Sequence, residues 1–207
     1  MMMTNNKTTT FPLEWKQVQR LENQLLMAFV ESEKLTNATD LMMISLGCRF
    51  GLRCGDLISL RWRDLIEIPP GEDLIVKEQK TKKLRILRVT KKVKTIVNQV
   101  VRILNPDPNH FIFSSSHKRG EAPMTIQNFN LRLKRILKKY GVRTKGNASS
   151  HLLRKSFVLG AIQNGFQNGD HLSLVKVSHL VNHSSVNQTI KYVNYETSEM
   201  LDLMELD

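Results

Sequence analysis

The sequence predicts a mainly α fold that carries one small antiparallel β-sheet, an α+β domain. Apolar residues recur at helical spacing through most of the chain. A single stretch, residues 74–89, instead places two apolar runs around a polar turn, which is typical of a β-hairpin. At 207 residues and 41% hydrophobic composition, the chain can bury the core of one ordinary domain.

The part of the chain ahead of the hairpin is predicted to be helical. The first helix carries one apolar stripe, formed by Trp15, Val18, Leu21, Leu25 and Phe29. The second is capped within residues 37–40, and its residues 41–46 are apolar nearly all round, as in a helix buried in the middle of a domain. Residues 47–64 continue as helix–turn–helix, with breaks expected at Gly51 and Gly55.

A Pro-Pro-Gly stop at residues 69–71 ends this part of the chain, and the hairpin strands 74–76 and 84–89 follow around the turn 80–83. The remaining predicted elements are a helix over 93–104, a short strand or buried anchor at 111–113, a helix over 126–140, and short helices from 150 onward with breaks near 165–169 and 183–185.

The chain is strongly basic. Lys and Arg number 31 against 19 acidic residues, and the formal net charge is +12. From Tyr192 onward there are five acidic residues and no Lys or Arg, so the positive excess belongs to the rest of the chain. A body this basic favours a polyanionic partner such as nucleic acid.

Several classes of protein are disfavoured. The longest apolar run, residues 41–46, is far shorter than the roughly 20 residues that a membrane-spanning helix needs. Residues 1–10 are polar, lack a signal core and are expected to be flexible. Cys48 and Cys54 form neither a disulfide framework nor a zinc motif, which favours a reducing cytoplasm.

Four separated clusters carry polar residues that suit chemistry. In the first, Arg53 stands three residues before Asp56, so the carboxylate could hold the guanidinium if the segment is helical. In the second, Lys80 lies at the hairpin tip. In the third, His151 and Arg154 share one helix face. Each of these three clusters, taken alone, is as well explained without a functional site. The first could be a surface ion pair, the second a solvated turn and the third a chance spacing.

The fourth cluster, residues 180–192, places His183 nine residues before Tyr192. The ordered set Arg, Lys, His-x-x-Arg, His, Tyr resembles the catalytic domain of the tyrosine recombinases, the phage integrase family. The matching segments are the first arginine box at 51–65, the hairpin lysine motif at 79–81, the second box at 151–157 and the ending at 180–192. The resemblance covers residues 11–195, and four motifs in the right order make it specific.

Phosphodiester transfer needs a nucleophile, stabilisation of the negative charge on the non-bridging oxygens and an acid for the leaving oxygen. Tyr192 can supply the nucleophile, although its ordinary pKa near 10 requires nearby cations or a base. Arg53 and Arg154 can fork onto the phosphate oxygens.

The resemblance implies the remaining roles. It makes His183 a donor to the phosphate, His151 the proton acceptor for the tyrosine and Lys80 the acid for the departing 5′-hydroxyl, while Asp56 is a supporting residue. It implies a site-specific DNA recombinase or integrase that cuts and rejoins strands through a 3′-phosphotyrosyl intermediate, with no ATP, metal or other cofactor.

Other residues compete for two of these assignments. Tyr140 lies on the apolar stripe of its helix and is expected in the core, whereas Tyr195 lies twelve residues after His183 rather than nine. Tyr192 is therefore preferred as the nucleophile. His179 and His183 are four apart, but the Glu of a zinc-binding His-Glu-x-x-His helix is absent, so we expect no metal site.

Double-stranded DNA is the predicted partner. Basic residues are concentrated on the hairpin and on the helix at 126–140, in patterns that suit contact with the phosphate backbone rather than base recognition. The predicted DNA-binding residues are Lys82, Lys83, Arg85, Arg132, Arg135 and Lys139.

The predicted domain organisation is a catalytic DNA breaking–rejoining domain at 11–195 and an acidic amphipathic tail at 196–207. The tail either folds onto its own domain or docks in trans, as the resemblance implies for recombinases that assemble as tetramers on DNA; a monomer without DNA is compatible with it. Only 52 residues precede Arg53, so the helical DNA-clamping domain that most members carry there is not expected in this chain.

Two further departures from the family pattern are mild: Asn182 replaces the usual glycine before the histidine, and Asp56 stands where glutamate is frequent. Two rival functions use the same scaffold. One is a nicking–closing activity like that of type IB topoisomerases, and the other is a non-catalytic DNA-binding regulator. The complete set of polar residues argues against the regulator, because a protein that only binds DNA has no need of a nucleophile.

Overall fold

The computed structural model describes residues 9–115 and 120–193. In chain order its elements are α1 (Trp15–Ser32), α2 (Leu35–Phe50), α3 (Cys54–Ile58), α4 (Arg63–Ile66), β1 (Asp73–Lys77), β2 (Leu84–Arg88), α5 (Lys91–Leu104), α6 (Ile126–Lys139), α7 (Ser150–Gln167), α8 (Ser173–Leu180) and α9 (Val186–Val193). The predicted mainly helical fold with one small antiparallel sheet is confirmed.

Helix α2 is the centre of the domain. Its residues 41–44 and Leu46 are completely buried, and α1, α5, α6 and α7 pack around it. The prediction of a central buried helix is confirmed, but its start is not, because α2 begins at Leu35 and residues 37–40 lie inside it. Asn37 uses its side-chain amide to donate to Ala28 O and Ser32 Oγ, and so ties α2 to the end of α1 instead of capping α2.

Of the two expected breaks near the end of α2, only Gly51 is one. It ends the helix in the left-handed conformation, with φ +53°. A Cβ at this position would lie 2.2 Å from Phe157 Cδ1 on α7, so the close contact also requires glycine. Gly55 lies inside α3, and the short helix therefore begins immediately after Arg53.

The hairpin forms as predicted, with Ile75 opposite Ile86 in an antiparallel register. Side chains alternate along β2, so that Arg85 and Leu87 are buried while Leu84, Ile86 and Arg88 are exposed. The assignment of Arg85 to a DNA-facing surface is therefore wrong. The period of two places its guanidinium on the inward face, below the hairpin.

The end of the described chain forms a small cluster of its own. Helices α7, α8 and α9 pack through Val158, Ile162, Val177, Val181 and Val193. The breaks between these helices fall at 168–172 and 181–185, close to the predicted positions. This packing holds α9, the helix that carries Tyr192, against α7.

Two predicted segments fall largely outside the described residues. Of the N-terminal segment 1–10, only Thr9 and Thr10 are described, and they pair with Gly146 and Asn147. The acidic tail at 196–207 lies outside the described residues altogether. Within the described part of the chain, no helix has the length and apolar character to cross a membrane.

The contact between Gly51 and Phe157 predicts a large loss of stability in Gly51→Ala. A left-handed residue with a Cβ costs about 1–2 kcal/mol, and overpacking adds about 1–3 kcal/mol. Gly141→Ala is the matched control, because Gly141 also has a left-handed φ of +65° but has open space where its Cβ would stand. Urea unfolding of both variants measures the difference, and equal losses would rule out the contact as the cause.

Candidate active site

The six predicted catalytic side chains line one cavity of about 420 Å³. They reach it from the N-cap of α3, the hairpin tip, the first turns of α7, the loop after α8, and α9. The members are Arg53, Lys80, His151, Arg154, His183 and Tyr192. A larger cavity of about 690 Å³, bordered by Trp15 and Arg49, contains none of them.

Arg154 is held by backbone carbonyls at the base of this cavity. Its Nη1 donates to Gly51 O at 2.7 Å and its Nη2 donates to Val181 O at 2.6 Å. Arg85 lies beside it and donates to Phe50 O at 2.7 Å and Gly51 O at 3.0 Å. Carbonyls at the carboxyl end of a helix lack hydrogen-bond donors within the helix. At the end of α2 the two guanidinium groups supply those donors.

Burial lowers the pKa of Arg154, and it lowers the pKa of Arg85 to about 10, with the neighbouring Arg154 charge adding to the effect on Arg85. Both guanidinium groups are nevertheless cationic at neutral pH. The base of the cavity therefore carries fixed positive charge.

Arg53 pairs with Glu78, which the sequence analysis did not single out. Arg53 Nη1 lies 2.6 Å from Glu78 Oε2. Arg53 is the N-cap of α3 and its backbone is extended, with φ −65° and ψ 151°, so the helical spacing to Asp56 does not apply. The expectation that Asp56 holds this guanidinium is therefore wrong.

Asp56 is buried and supports the hairpin instead. Its Oδ1 accepts a hydrogen bond from Gln79 N at 2.8 Å, which anchors the residue directly before Lys80. The residue after Lys80 is also anchored, since Thr81 Oγ1 donates to Glu78 Oε2 at 2.6 Å. Lys80 itself is exposed and reaches the cavity from a tip that is fixed on both sides.

The two imidazoles border the phenol of Tyr192. His151 Nδ1 lies 3.4 Å from Tyr192 Oη. The His183 ring packs edge-on against the Tyr192 ring with centroids 5.0 Å apart, and its Nδ1 is 2.8 Å from the hydroxyl of the buried Thr189. Each imidazole therefore has a hydroxyl within hydrogen-bonding distance of its Nδ1, the phenol of Tyr192 for His151 and Thr189 for His183.

Both histidines are neutral at neutral pH. Burial lowers the pKa of His151, and the Arg154 and Lys155 charges lower it further. Burial and the nearby arginines, Arg154 first, lower the pKa of His183 to about 4. A neutral imidazole offers one nitrogen as a proton acceptor and the other as a donor.

Tyr192 is protonated in this geometry. Burial raises the pKa of its phenol, and Arg154 and Arg53 offset part of the increase. Lys155 Nζ lies 5.0 Å from the centroid of the Tyr192 ring, so a further cation borders the phenol. Lys155 was not among the site residues predicted from the sequence. Its place directly after Arg154, on the same helix, was the available signal.

Tyr140 stands apart from the cavity. Tyr140 is half-buried against the main core, as expected for a structural residue. Tyr195 lies outside the described residues.

His179 is exposed, and no cluster of three or more potential metal ligands occurs within residues 9–115 and 120–193.

The remaining predicted DNA-binding residues differ in their surroundings. Lys82, Lys83, Arg135 and Lys139 are exposed. Arg132 is half-buried, pairs with Asp40 through Nε and Oδ1 at 2.5 Å, and also donates to Thr36 O. Protein oxygens on α2 therefore hold the Arg132 guanidinium.

The profile of the phage integrase family matches residues 16–199. The chain belongs to this family. It is 28% identical over 183 residues to a tyrosine recombinase of Thermosipho africanus (strain TCF52B), a match that covers 88% of this chain and 58% of the relative. A tyrosine recombinase of Pseudothermotoga lettingae is 27% identical over 183 residues, which covers 87% of this chain and 57% of the relative. The chain thus spans less than three fifths of the length of these relatives.

Solved structures of recombinases share the fold. The XerH site-specific recombinase bound to palindromic difH substrate, in a post-cleavage complex, superposes with a TM-score of 0.70 at 16% identity, over 95% of this chain and 53% of XerH. A lambda integrase dimer bound to a COC′ core site gives a TM-score of 0.61 at 18% identity, over 93% of this chain and 51% of that protein. The predicted tyrosine recombinase catalytic-domain fold is confirmed.

The buried guanidinium below the hairpin predicts a large cost for Arg85→Leu. The substitution leaves Phe50 O without its side-chain donor, removes one of the two guanidinium donors to Gly51 O and removes the positive charge 3.8 Å from Glu78 Oε1. Breaking such a buried charged contact costs about 3–5 kcal/mol.

Arg88→Leu on the same strand is the control for that substitution, because the Arg88–Asp73 pair is exposed. Its expected change is within about 1 kcal/mol. Equal midpoints of urea unfolding for the two variants would contradict a structural role for Arg85.

Proposed function

We propose that this chain is the catalytic domain of a site-specific DNA recombinase that cleaves and rejoins DNA strands through Tyr192. The convergence of all six predicted catalytic side chains on one cavity is the observation that carries the proposal. Family membership and the tyrosine recombinase relatives support it.

The proposed reaction is an in-line transfer at phosphorus. Tyr192 Oη attacks the scissile phosphate, an O–P bond forms to the phenol, and the bond to the 5′-oxygen breaks. The products are a 3′-phosphotyrosyl ester and a free 5′-hydroxyl. Attack by a 5′-hydroxyl reverses the step, and the exchange of one phosphodiester for another needs no ATP.

Arg53 and Arg154 stabilise the charge that develops on the non-bridging oxygens. A guanidinium carries five N–H donors in a rigid fork, so Arg154 can bind the two carbonyls that hold it and still donate to a phosphate. Because those carbonyls fix its position before the substrate arrives, the transition state is stabilised without reorganisation.

The imidazoles and the hairpin lysine handle the protons. His151 accepts the phenolic proton across the 3.4 Å contact with Tyr192 Oη. Lys80 delivers a proton to the departing 5′-oxygen from the anchored tip. His183, whose Nδ1 is occupied by Thr189, presents its Nε2 to a phosphate oxygen.

Double-stranded DNA is the proposed substrate, contacted along its backbone by the exposed Lys82, Lys83, Arg135 and Lys139. We further propose that the domain, residues 11–195, acts as a homotetramer on DNA in the bacterial cytoplasm, encoded by a bacterium or by a phage. DNA-bound recombinases among the structures of this fold support the proposed partner.

Covalent trapping tests the proposed function. The probe is a library of short duplexes with randomised flanks and one 5′-bridging phosphorothiolate, whose sulfur leaves without protonation and does not reattack efficiently. Denaturing gels should show a protein–DNA adduct for the wild type and for Tyr195→Phe, and none for Tyr192→Phe. Sequencing the trapped duplexes identifies the site.

Two outcomes contradict this assignment. An adduct that persists in Tyr192→Phe would move the nucleophile to another residue, and no adduct with the wild type would favour a DNA-binding regulator. Relaxation of supercoiled plasmid that lacks the trapped site would indicate a nicking–closing activity instead of recombination.

The lowered pKa of His151 predicts the pH at which the rate of cleavage falls on the acid side of its pH profile. His151 must be unprotonated to accept the phenolic proton, so the rate is retained above its pKa and falls as the pH drops through it. Because burial and the Arg154 charge lower that pKa, the acid limb of the single-turnover rate should lie below pH 6.5. His151→Gln should be slower by about 10²–10⁴-fold and should lose this limb. An acid limb above pH 6.5 would contradict the assignment.

A further inference from the structure

Glu78 is a completely buried carboxylate at the edge of the candidate site. It follows the last residue of β1, and its side chain has no exposed surface. It is absent from the residues that line the active-site cavity, so it does not face the scissile phosphate. A carboxylate is almost never this buried unless cationic or hydrogen-bonding partners offset the cost.

One oxygen of Glu78 joins three separate catalytic segments. Oε2 lies 2.6 Å from Arg53 Nη1, accepts a hydrogen bond from Thr81 Oγ1 at 2.6 Å and accepts another from Asn182 Nδ2 at 3.2 Å. Thr81 directly follows Lys80, and Asn182 directly precedes the catalytic His183. A single atom therefore contacts the arginine, the residue after the hairpin lysine and the residue before the histidine.

The carboxylate is ionised at neutral pH. Burial alone would raise the pKa of Glu78, but the hydrogen bonds from Thr81 and Arg53 and the Arg53 charge outweigh it, and the net pKa is lowered. The backbone reinforces the arrangement, since Lys82 N donates to Glu78 O at 2.9 Å and closes the tip.

We propose that Glu78 is a positioning residue that holds the Lys80 tip in place to protonate the departing 5′-oxygen. The inference rests on the proposed function and extends it to a residue that does not touch DNA. Thr81 loses its charged acceptor if Glu78 is neutralised, so the tip loosens. Arg53 keeps its own charge and loses only a competing anion, so its attraction to the phosphate persists.

This difference between Lys80 and Arg53 gives the test. A 5′-bridging phosphorothiolate expels a thiolate, which is far less basic than an alkoxide and needs no proton from Lys80. A variant that misplaces Lys80 is therefore rescued on this substrate. A variant that impairs phosphate binding by Arg53 is slow on both substrates.

The experiment compares single-turnover adduct formation on one trapped site, made as an ordinary nicked phosphodiester and as the phosphorothiolate. Glu78→Gln should slow phosphodiester cleavage by about 10- to 100-fold, the range for small displacements of a catalytic group. On the phosphorothiolate it should react within about threefold of the wild type, as Lys80→Ala should, whereas Arg53→Ala should stay slow on both.

Two variants complete the design. Thr81→Val removes only the link between Glu78 and the tip, keeps the shape of the side chain, and should show the same rescue with a smaller initial loss. Glu72→Gln makes the same chemical change at the exposed base of the hairpin and should leave both rates unchanged. If urea unfolding shows that Glu78→Gln does not fold, the rates of Thr81→Val on the two substrates decide whether the positioning role holds.

Each failure is distinguishable. Equal slowing of the Glu78 or Thr81 variant on both substrates, or no slowing on the phosphodiester, overturns the positioning role and leaves the proposed function intact. Failure of the wild type to form any adduct on the phosphorothiolate overturns the proposed function itself.

Discussion

The architecture depends on which groups donate hydrogen bonds to the last backbone carbonyls of α2. Helix α2 runs through the centre of the domain, and its last carbonyls point at the base of the cavity, where Arg85 and Arg154 bind Phe50 O and Gly51 O. A helix end that is buried without partners would be costly, and a cation at that end is favoured by the helix dipole. The same bonds that complete the core helix therefore fix a guanidinium where a phosphate can bind.

The positive charge of the clustered arginines also affects the protonation of the neighbouring side chains. Arg53, Arg85 and Arg154 lie close enough to influence one another and the nearby rings, and the buried carboxylates Glu78 and Asp56 oppose their charge. Their charge, together with burial, keeps His183 and His151 neutral. The same charged cluster therefore serves both the stability of the fold and the proposed catalysis. Glu78 and Asp56 offset the cost of burying the arginines, and they also anchor the hairpin tip on both sides of Lys80.

Periodicity predicted the elements well, because α2 and the hairpin have patterns that depend on local sequence alone. The motif spacing also predicted which six residues share the cavity. The errors have physical causes. Asp56 was matched to Arg53 by a helical spacing that fails because Arg53 precedes the helix. Arg85 was grouped with basic neighbours although strand alternation turns it inward. Glu78 depends on partners up to 104 residues away, which no local pattern reveals.

The geometry around Tyr192 constrains when the nucleophile becomes reactive. Burial raises the pKa of the phenol above its ordinary 10.0, while the pKa of its proton acceptor His151 lies below 6.5. Because these two shifts move the phenol and the imidazole in opposite directions, a phenolate–imidazolium pair is disfavoured before attack. In the proposed reaction, proton transfer then accompanies formation of the O–P bond, as negative charge moves onto phosphate oxygens near Arg53 and Arg154. Under that proposal, the protonated Tyr192 is a weak nucleophile, and binding of the phosphate by the two arginines makes it reactive.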